Sequence, residues 1–163
     1  MKKLLLLLLV TAPVMAQHGF KMENGNVVWE RFYSIPQNDI KAMVSANEQL
    51  SLSSAEEATY TGRGAEVQNT CSSGSTLMKC PVDFTFTIMT VADGYFVRVE
   101  NFMFLEKYGP MQMRTVPTGL GKHYVERGKI RTTDKANTEL ACVDSFLSGV
   151  FSGGGANTAL TAN

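Results

Sequence analysis

The residues of this sequence that could carry out catalysis centre on one histidine. Nucleophilic catalysis requires a serine or cysteine beside a base that a third group orients, and the chain contains two histidines, His18 and His123. A hydrolase-type enzyme would therefore be built on His123, with Glu126 or Cys142 beside it. The sequence contains no G-x-S-x-G nucleophile motif. We expect no catalytic residues and favour a non-enzymatic role.

Three cysteines allow either a disulfide or a metal site. Cys71 and Cys80 bracket a short polar segment, and they are the expected disulfide pair because bridges persist in oxidising compartments. Cys142 lies among apolar residues, where a buried, unreactive thiol is expected. A zinc site of the three cysteines and His123 is the alternative, but the spacing matches no CxxC-type site. We therefore expect neither a metal nor another cofactor.

Two further patterns resemble chemical motifs without meeting their requirements. Glu56 with Glu57, and Glu100 with Glu106, are carboxylate pairs. The adjacent Glu56 and Glu57 are more typical of a solvated loop end than of acid–base catalysis. Residues 119–123 resemble a phosphate loop but lack its first glycine and its final hydroxyl. Neither pattern predicts a catalytic site.

The first sixteen residues have the pattern of an export signal. Lys2 and Lys3 precede the apolar run 4–10, and Val14 and Ala16 are small enough for the −3 and −1 positions of signal peptidase. The apolar run is much shorter than the ~20 residues that span a bilayer. We expect cleavage near Ala16 and a periplasmic, cell-surface or secreted protein with no transmembrane segment in its mature chain.

The charge balance excludes nucleic acid as the expected partner. The chain carries 15 basic and 15 acidic side chains, and 18% of its residues are charged. Nucleic-acid-binding proteins concentrate a basic excess on one face, which this composition does not offer. The expected partner is a protein or a component of the cell envelope. The favoured role is therefore a binding module, and the alternatives to it are the hydrolase-type enzyme and a structural component of the envelope.

The elements that would position these residues alternate between strands and helices. They are a strand over Val27–Tyr33, a helix capped by Asn38 or Asp39, a weaker strand over Thr59–Val67 and a final helix that Asp134 caps, with an apolar stripe from Leu140 to Phe151. Residues 51–54 and 109–128 are predicted to be loops, the second with a short strand over 111–116. The expected domain covers residues 25–151, between a flexible lead-in at 17–24 and a flexible tail at 152–163.

The best-defined element is a hairpin from Val82 to Leu105. Apolar and polar residues alternate in its first strand, which indicates a strand that is buried on one face. Asp93-Gly94 favours a type I′ turn, and a two-residue loop there would place Ile88 opposite Val99. The apolar residues of both strands would then share one face.

The opposite face of this hairpin is the candidate binding surface. A charged pair beside two phenylalanines on a face away from the core could bind a partner, unless another segment covers it. The candidate binding residues are Thr85, Thr87, Arg98, Glu100, Phe102 and Phe104.

The order of these elements resembles a family of secreted bacterial domains of unknown function with a TBP-like fold. The resemblance rests on the opening Gly25-Asn26-Val27-Val28-Trp29 strand, the helix after Pro36, the Gly62-Arg63-Gly64 strand and the hairpin that ends in Arg98–Phe102. It implies an α+β fold in which two helices pack on one face of a curved antiparallel sheet of about 4–6 strands. The opposite face would be open. The resemblance implies no activity and no catalytic residues.

Overall fold

The structure, a computed structural model, describes residues 18–34, 39–72 and 75–152. The expected signal segment and the part of the expected tail beyond Ser152 lie outside these ranges. The described strands are β1 Phe20–Glu23, β2 Asn26–Tyr33, β3 Leu50–Glu56, β4 Thr59–Val67, β5 Val82–Val91, β6 Gly94–Tyr108, β7 Arg114–Gly119, β8 Val125–Glu126 and β9 Lys129–Ile130. The described helices are α1 Ile40–Ser45, α2 Leu120–Tyr124 and α3 Asp134–Phe151, with 3₁₀ turns at Thr76–Lys79 and Pro110–Gln112.

The fold is α+β and its main sheet is antiparallel, as the sequence predicts. The sheet has seven strands in the order β1-β2-β6-β5-β4-β3, and β7 pairs with the second half of β6. Strand β6 therefore has β5 along one edge, and β2 followed by β7 along the other. Strands β8 and β9 form a separate small hairpin. The sheet is larger than the four to six strands expected.

Two segments that were expected to be irregular belong to this sheet. The expected lead-in contains β1, because Asn24 and Gly25 both have positive φ and fold the chain back onto β2. Asn-Gly is the preferred pair for such a type I′ turn. The serine-rich stretch from Ser51 to Ser54 lies in β3, an edge strand that pairs with β4 and turns Leu50 into the core. The interpretation of residues 51–54 as a loop was wrong, and the segment expected to be a lead-in contains a strand.

The β5–β6 hairpin forms, but its turn lies one residue earlier than predicted. Val91 pairs with Gly94, so Ile88 lies opposite Val97 and not Val99. Glycine is needed at position 94 because a Cβ there would overlap the carbonyl oxygen of Tyr33 on β2. The resulting shift in pairing is two residues, an even number, so the apolar residues next to the turn still share one face.

A β-bulge in β6 overturns part of the predicted binding surface. Thr85 pairs with Glu100, whereas Asp83 pairs with Met103, so β6 has one extra residue at Asn101, which has a φ of 53°. An extra residue reverses the side-chain alternation beyond it. Phe102 and Phe104 consequently lie in the core.

Three helices contribute to one hydrophobic core on one face of the sheet, where two were expected. Asp39, one of the two predicted caps, caps α1, and Ile40 is buried in the core. The other predicted cap, Asn38, lies outside the described residues. Helix α2 lies within the stretch predicted to be a loop, and it buries Leu120. Helix α3 begins at Asp134, but its capping side chain is Thr133. No helix of the described residues is long and apolar enough to cross a membrane.

Helix α3 is fixed to the sheet by polar bonds as well as by packing. The carboxylate of Asp144 accepts a hydrogen bond from Trp29 Nε1 at 2.7 Å and two from Arg31 Nη2 at 2.8 and 3.0 Å. Tyr95 Oη donates to the carbonyl oxygen of Phe151 at 2.6 Å. These bonds satisfy polar atoms at the helix–sheet contact, where leaving them unpaired would cost free energy.

The disulfide joins Cys71 to Cys142, and Cys80 is free. The expected Cys71–Cys80 pair and the expected inert Cys142 thiol were both wrong. Cys142 is distant in sequence, but α3 packs across the core and brings its Cα to 5.6 Å from that of Cys71. This separation suits a disulfide. The proposed zinc site would need both of these sulfurs as thiolates, and the disulfide uses them.

Candidate functional site

The sheet face opposite the helices, here called the outer face, is the main candidate site. Strands β2, β6, β5 and β4 place Glu30, Arg98, Thr87 and Thr61 side by side on it, because each is the cross-strand partner of the next. All three described helices bury their apolar residues in the core on the other face. The expected helix-free face is therefore present over the described residues.

The centre of the outer face is an ion-pair network. Arg98 contacts Glu30 at 2.7 Å and Glu23 and Glu100 at 2.8 Å each, and Lys21 lies 2.8 Å from Glu30. The hydrogen bonds to Glu100 and Glu23 raise the pKa of Arg98, and its guanidinium lowers the pKa of Glu23. Arg98 and Glu100 lie where the sequence places them, but both are held in ion pairs within the chain, in a network of two cations and three carboxylates.

The two predicted threonines lie beside this network. Thr85 is exposed, and its hydroxyl donates to the carbonyl oxygen of Glu100 at 3.2 Å and accepts from Asn101 Nδ2 at 3.1 Å. Thr87 is half-buried next to Arg98. Four of the six predicted binding residues therefore share the outer face.

The other two predicted residues do not. Phe104 is fully buried and Phe102 is 5% exposed, and the Phe102 ring stacks on that of Phe84 with centroids 6.1 Å apart. The prediction that these two phenylalanines lie on the binding surface was wrong. The bulge at Asn101 is the physical reason.

A different set of apolar side chains is exposed on the outer face. Phe32 pairs with Phe96, and Phe96 pairs with Met89, so the three lie in one row across β2, β6 and β5. Val91 follows Met89 on the same face. Phe32, Met89 and Val91 are 50%, 40% and 54% exposed, and Phe96 is half-buried. We call these four residues the outer apolar band.

The band was not predicted from the sequence because the β5–β6 turn was placed one residue too late, which gave the wrong cross-strand pairs. The predicted register placed Met89 opposite Arg98, so no apolar row was visible across the hairpin. The signal was nevertheless present, since Phe32 falls on the same side of its predicted strand as Val28 and Glu30. The observed register brings Phe32, Phe96 and Met89 together.

His123 does not form the predicted catalytic pairs. Its Nε2 lies 3.4 Å from Glu106 Oε1, and its ring meets Phe104 edge-on with centroids 6.0 Å apart. Glu126 instead lies 3.8 Å from Arg131. Because Cys142 is held in the disulfide, it offers no thiol to His123. The proposed pairings of His123 with Glu126 and Cys142 were wrong.

The surroundings of His123 do not activate the remaining thiol. Burial and the nearby Glu106 carboxylate raise the pKa of Cys80, and its Sγ donates to the carbonyl oxygen of Thr76 at 3.5 Å. A nucleophilic cysteine requires a lowered pKa, because the thiolate is the reactive form. The geometry around Cys80 therefore favours a protonated, unreactive thiol.

Glu106 is expected to make folding depend on pH. Hydrogen bonds from Thr118 and Tyr108 lower the pKa of Glu106 in the folded protein. The ionised carboxylate therefore stabilises the fold, and this contribution is complete above the pKa of Glu106 in the unfolded chain, about 4.3. It is lost as the pH falls through the lower folded value. We expect Glu106→Gln to reduce the free energy of unfolding by about 1 kcal/mol at pH 7 and by less at pH 3.

Urea unfolding of both proteins between pH 3 and pH 7 measures this effect. The expected result is two stability curves that converge towards acid pH. Curves that stay parallel over this range would contradict the role assigned to the Glu106 carboxylate.

Comparison with known proteins finds likeness in structure only. No protein-family model matches the sequence. No curated protein matches it either. Among solved structures, the chain is similar to a DUF4468 family protein from Bacteroides ovatus, with 15% identity and a TM-score of 0.49 over 83% of this chain and 87% of that one.

It is also similar to a TBP-like protein from Parabacteroides distasonis, with 14% identity and a TM-score of 0.49 over 82% of this chain and 95% of that one. Both likenesses concern the fold. The resemblance expected from the sequence, to a TBP-like domain of unknown function, agrees with the descriptions of these two proteins.

Proposed function

We propose that this chain is an exported, non-enzymatic binding module that docks a partner protein on the outer apolar band. The observation that carries the proposal is a group of four neighbouring apolar side chains on a helix-free sheet face, three of them exposed and Phe96 half-buried. Exposed apolar clusters of this kind mark interaction surfaces. Export is supported by the N-terminal sequence pattern and by the disulfide, which is typical of oxidising compartments.

The surface beside the band suggests what kind of partner it fits. Arg98 and Lys21 each have carboxylate partners within the chain, so neither cation of this network is left unpaired for an anionic ligand. Aromatic residues are enriched at interface centres, and polar residues form their rims. A partner protein with its own apolar patch therefore matches Phe32 and Phe96, with the ion-pair network as the polar rim.

The test places a photo-crosslinking phenylalanine derivative at position 89 in cells of the source organism. We expect it to link one defined protein, identified by mass spectrometry, because Met89 lies within the band. The same derivative at the exposed position of Glu48, just before the edge strand β3 and outside the band, should not link that protein. Phe32→Ser in the position-89 protein should reduce the yield at least about tenfold, as the loss of a central aromatic contact implies.

Met113→Ser is the matched control for Phe32→Ser. It also removes an exposed apolar side chain, 84% exposed, but outside the band, and it should leave the yield unchanged. Both substitutions are at exposed positions, so both proteins should fold normally. Equal linking from positions 89 and 48, or linking only to a second copy of this chain, would contradict the proposal.

A further inference from the structure

A cleft on the helical side of the molecule has the properties of an anion site. Its volume is about 320 Å³, which is at the lower end of the range for small-molecule sites. It lies between α2, the segment after β9 and the start of α3. We propose that this cleft binds the phosphate group of a small phosphorylated molecule.

Cationic side chains from three separate elements converge on this cleft. Lys122 comes from α2, Arg131 from the segment after β9, and Lys135 from the first turn of α3, and all three are exposed. Within the described ranges, neither lysine has a carboxylate within 4 Å. Arg131 Nε lies 3.8 Å from the largely exposed Glu126. Beyond that distance, Lys122 interacts electrostatically with Glu106. The two lysines and the loosely paired Arg131 can therefore still contact an added anion.

This arrangement differs from that of the cations on the outer face. Arg98 and Lys21 are held at 2.7 to 2.8 Å from carboxylates of the same chain. The cleft cations have no such close internal partners, although they are gathered around one concavity. Gathering like charges without close partners costs free energy through repulsion, and a bound anion would remove that cost.

The carboxylate in the cleft wall does not neutralise the cations. Glu139 is 6% exposed and accepts a hydrogen bond from Tyr124 Oη at 2.9 Å. The lining therefore has three cationic side chains against one buried carboxylate. A phosphate monoester carries about −1.5 to −2 charge at pH 7, which matches this excess better than a single carboxylate would.

A hydroxyl group on the rim can complete the site. Thr133 Oγ1 accepts the capping hydrogen bond from the backbone N–H of Ala136 at 3.3 Å. Its own proton remains available to a phosphate oxygen, since a hydroxyl group both donates and accepts. Lysine, arginine and hydroxyl donors together are the usual partners of bound phosphate.

The test titrates the protein with a hexose 6-phosphate and follows its backbone amides by NMR at physiological salt. We expect shifts at the amides around Lys122, Thr133 and Lys135, and no comparable shifts with the unphosphorylated hexose. The double substitution Lys122→Gln with Lys135→Gln should weaken binding at least about tenfold, because it removes two charge-assisted contacts.

The matched control is Lys41→Gln with Lys107→Gln. It changes the net charge by the same amount as the cleft double substitution, at two exposed positions outside the cleft. It should change the affinity for the hexose 6-phosphate by less than about twofold. A second arm uses vesicles that contain phosphatidylglycerol. If the protein binds these vesicles and the cleft substitutions abolish that binding, the cleft still recognises a phosphate group. The phosphate would then belong to a lipid headgroup.

Three results would overturn the proposal. One is equal weakening by the cleft and control substitutions, which would indicate general charge attraction. Another is a hexose that binds as tightly without its phosphate. The third is the absence of binding in both arms. None of these results bears on the outer apolar band, which lies on the opposite face of the sheet.

Discussion

Replacing Cys71 and Cys142 together by alanine is expected to lower the free energy of unfolding by about 4 kcal/mol. The two cysteines are 71 residues apart in sequence, and a cross-link that closes so long a loop restricts the unfolded chain strongly. The chain-entropy model gives this magnitude for a loop of that length. Denaturant unfolding of both proteins measures the difference.

Cys80→Ala is the matched control, because this residue is the free cysteine of the described segments. Its loss should change the free energy of unfolding by less than about 1 kcal/mol. Peptide mapping without reduction should recover the fragment that joins residues 71 and 142. A large effect of Cys80→Ala, together with a mapped fragment that joins residues 71 and 80, would contradict the observed pairing and restore the one expected from sequence.

Phe104→Ala is expected to cost about 3–5 kcal/mol, whereas Phe32→Ala should cost less than about 1 kcal/mol. Phe104 is fully buried, with its ring 5.2 Å from Phe102 and 6.0 Å from His123 between centroids. Phe32 is 50% exposed. The comparison tests the bulge at Asn101, because an uninterrupted β6 would place Phe104 on the same face as Phe32.

Urea unfolding of the two single variants provides the measurement. A second variant, Phe104→Leu, keeps much of the buried apolar volume and should recover more than half of the lost stability. If Phe32→Ala were the more damaging substitution, the assignment of both faces would be reversed, and the outer apolar band with it.

Local patterns in the sequence predicted the elements that depend on neighbouring residues. The strand over Thr59–Val67 has the predicted bounds, and the side chain of Asp39 caps α1 as expected. The α+β class and the antiparallel hairpin follow from the alternation in β5 and the helical stripe in α3. In each of these cases the deciding contacts lie within a few residues of each other.

Three of the predictions that failed depend on distant contacts or on a single backbone conformation. The partner of Cys71 depends on where α3 packs, which no nearby residue specifies. The turn of the main hairpin depends on Gly94, which packs closely against Tyr33 of another strand, β2. Asparagine tolerates positive φ, but the sequence alone does not show that Asn101 adopts it. That single conformation decides on which face Phe102 and Phe104 lie.

The candidate site was therefore predicted only in part. The polar members of the outer face follow from period-two alternation near the turn, where an even shift of register preserves the face. The apolar band depends on which residues are cross-strand neighbours, and those neighbours change with any shift of the strand register, even or odd. The cationic cleft could not be predicted, because Lys122, Arg131 and Lys135 meet only after α2 and α3 are placed.

The position of β3 at the border of the sheet has a consequence for solubility. An unpaired border strand can recruit the backbone of another molecule and start aggregation. In β3 the pairing with β4 is interrupted by a register shift between Leu52 and Ser54, and exposed Ser51, Ser53 and Glu56 occupy positions around it. An irregular, hydroxyl-rich and charged border is a poor template for sheet extension between molecules. Edge-to-edge pairing of one chain with the next is thereby disfavoured at β3.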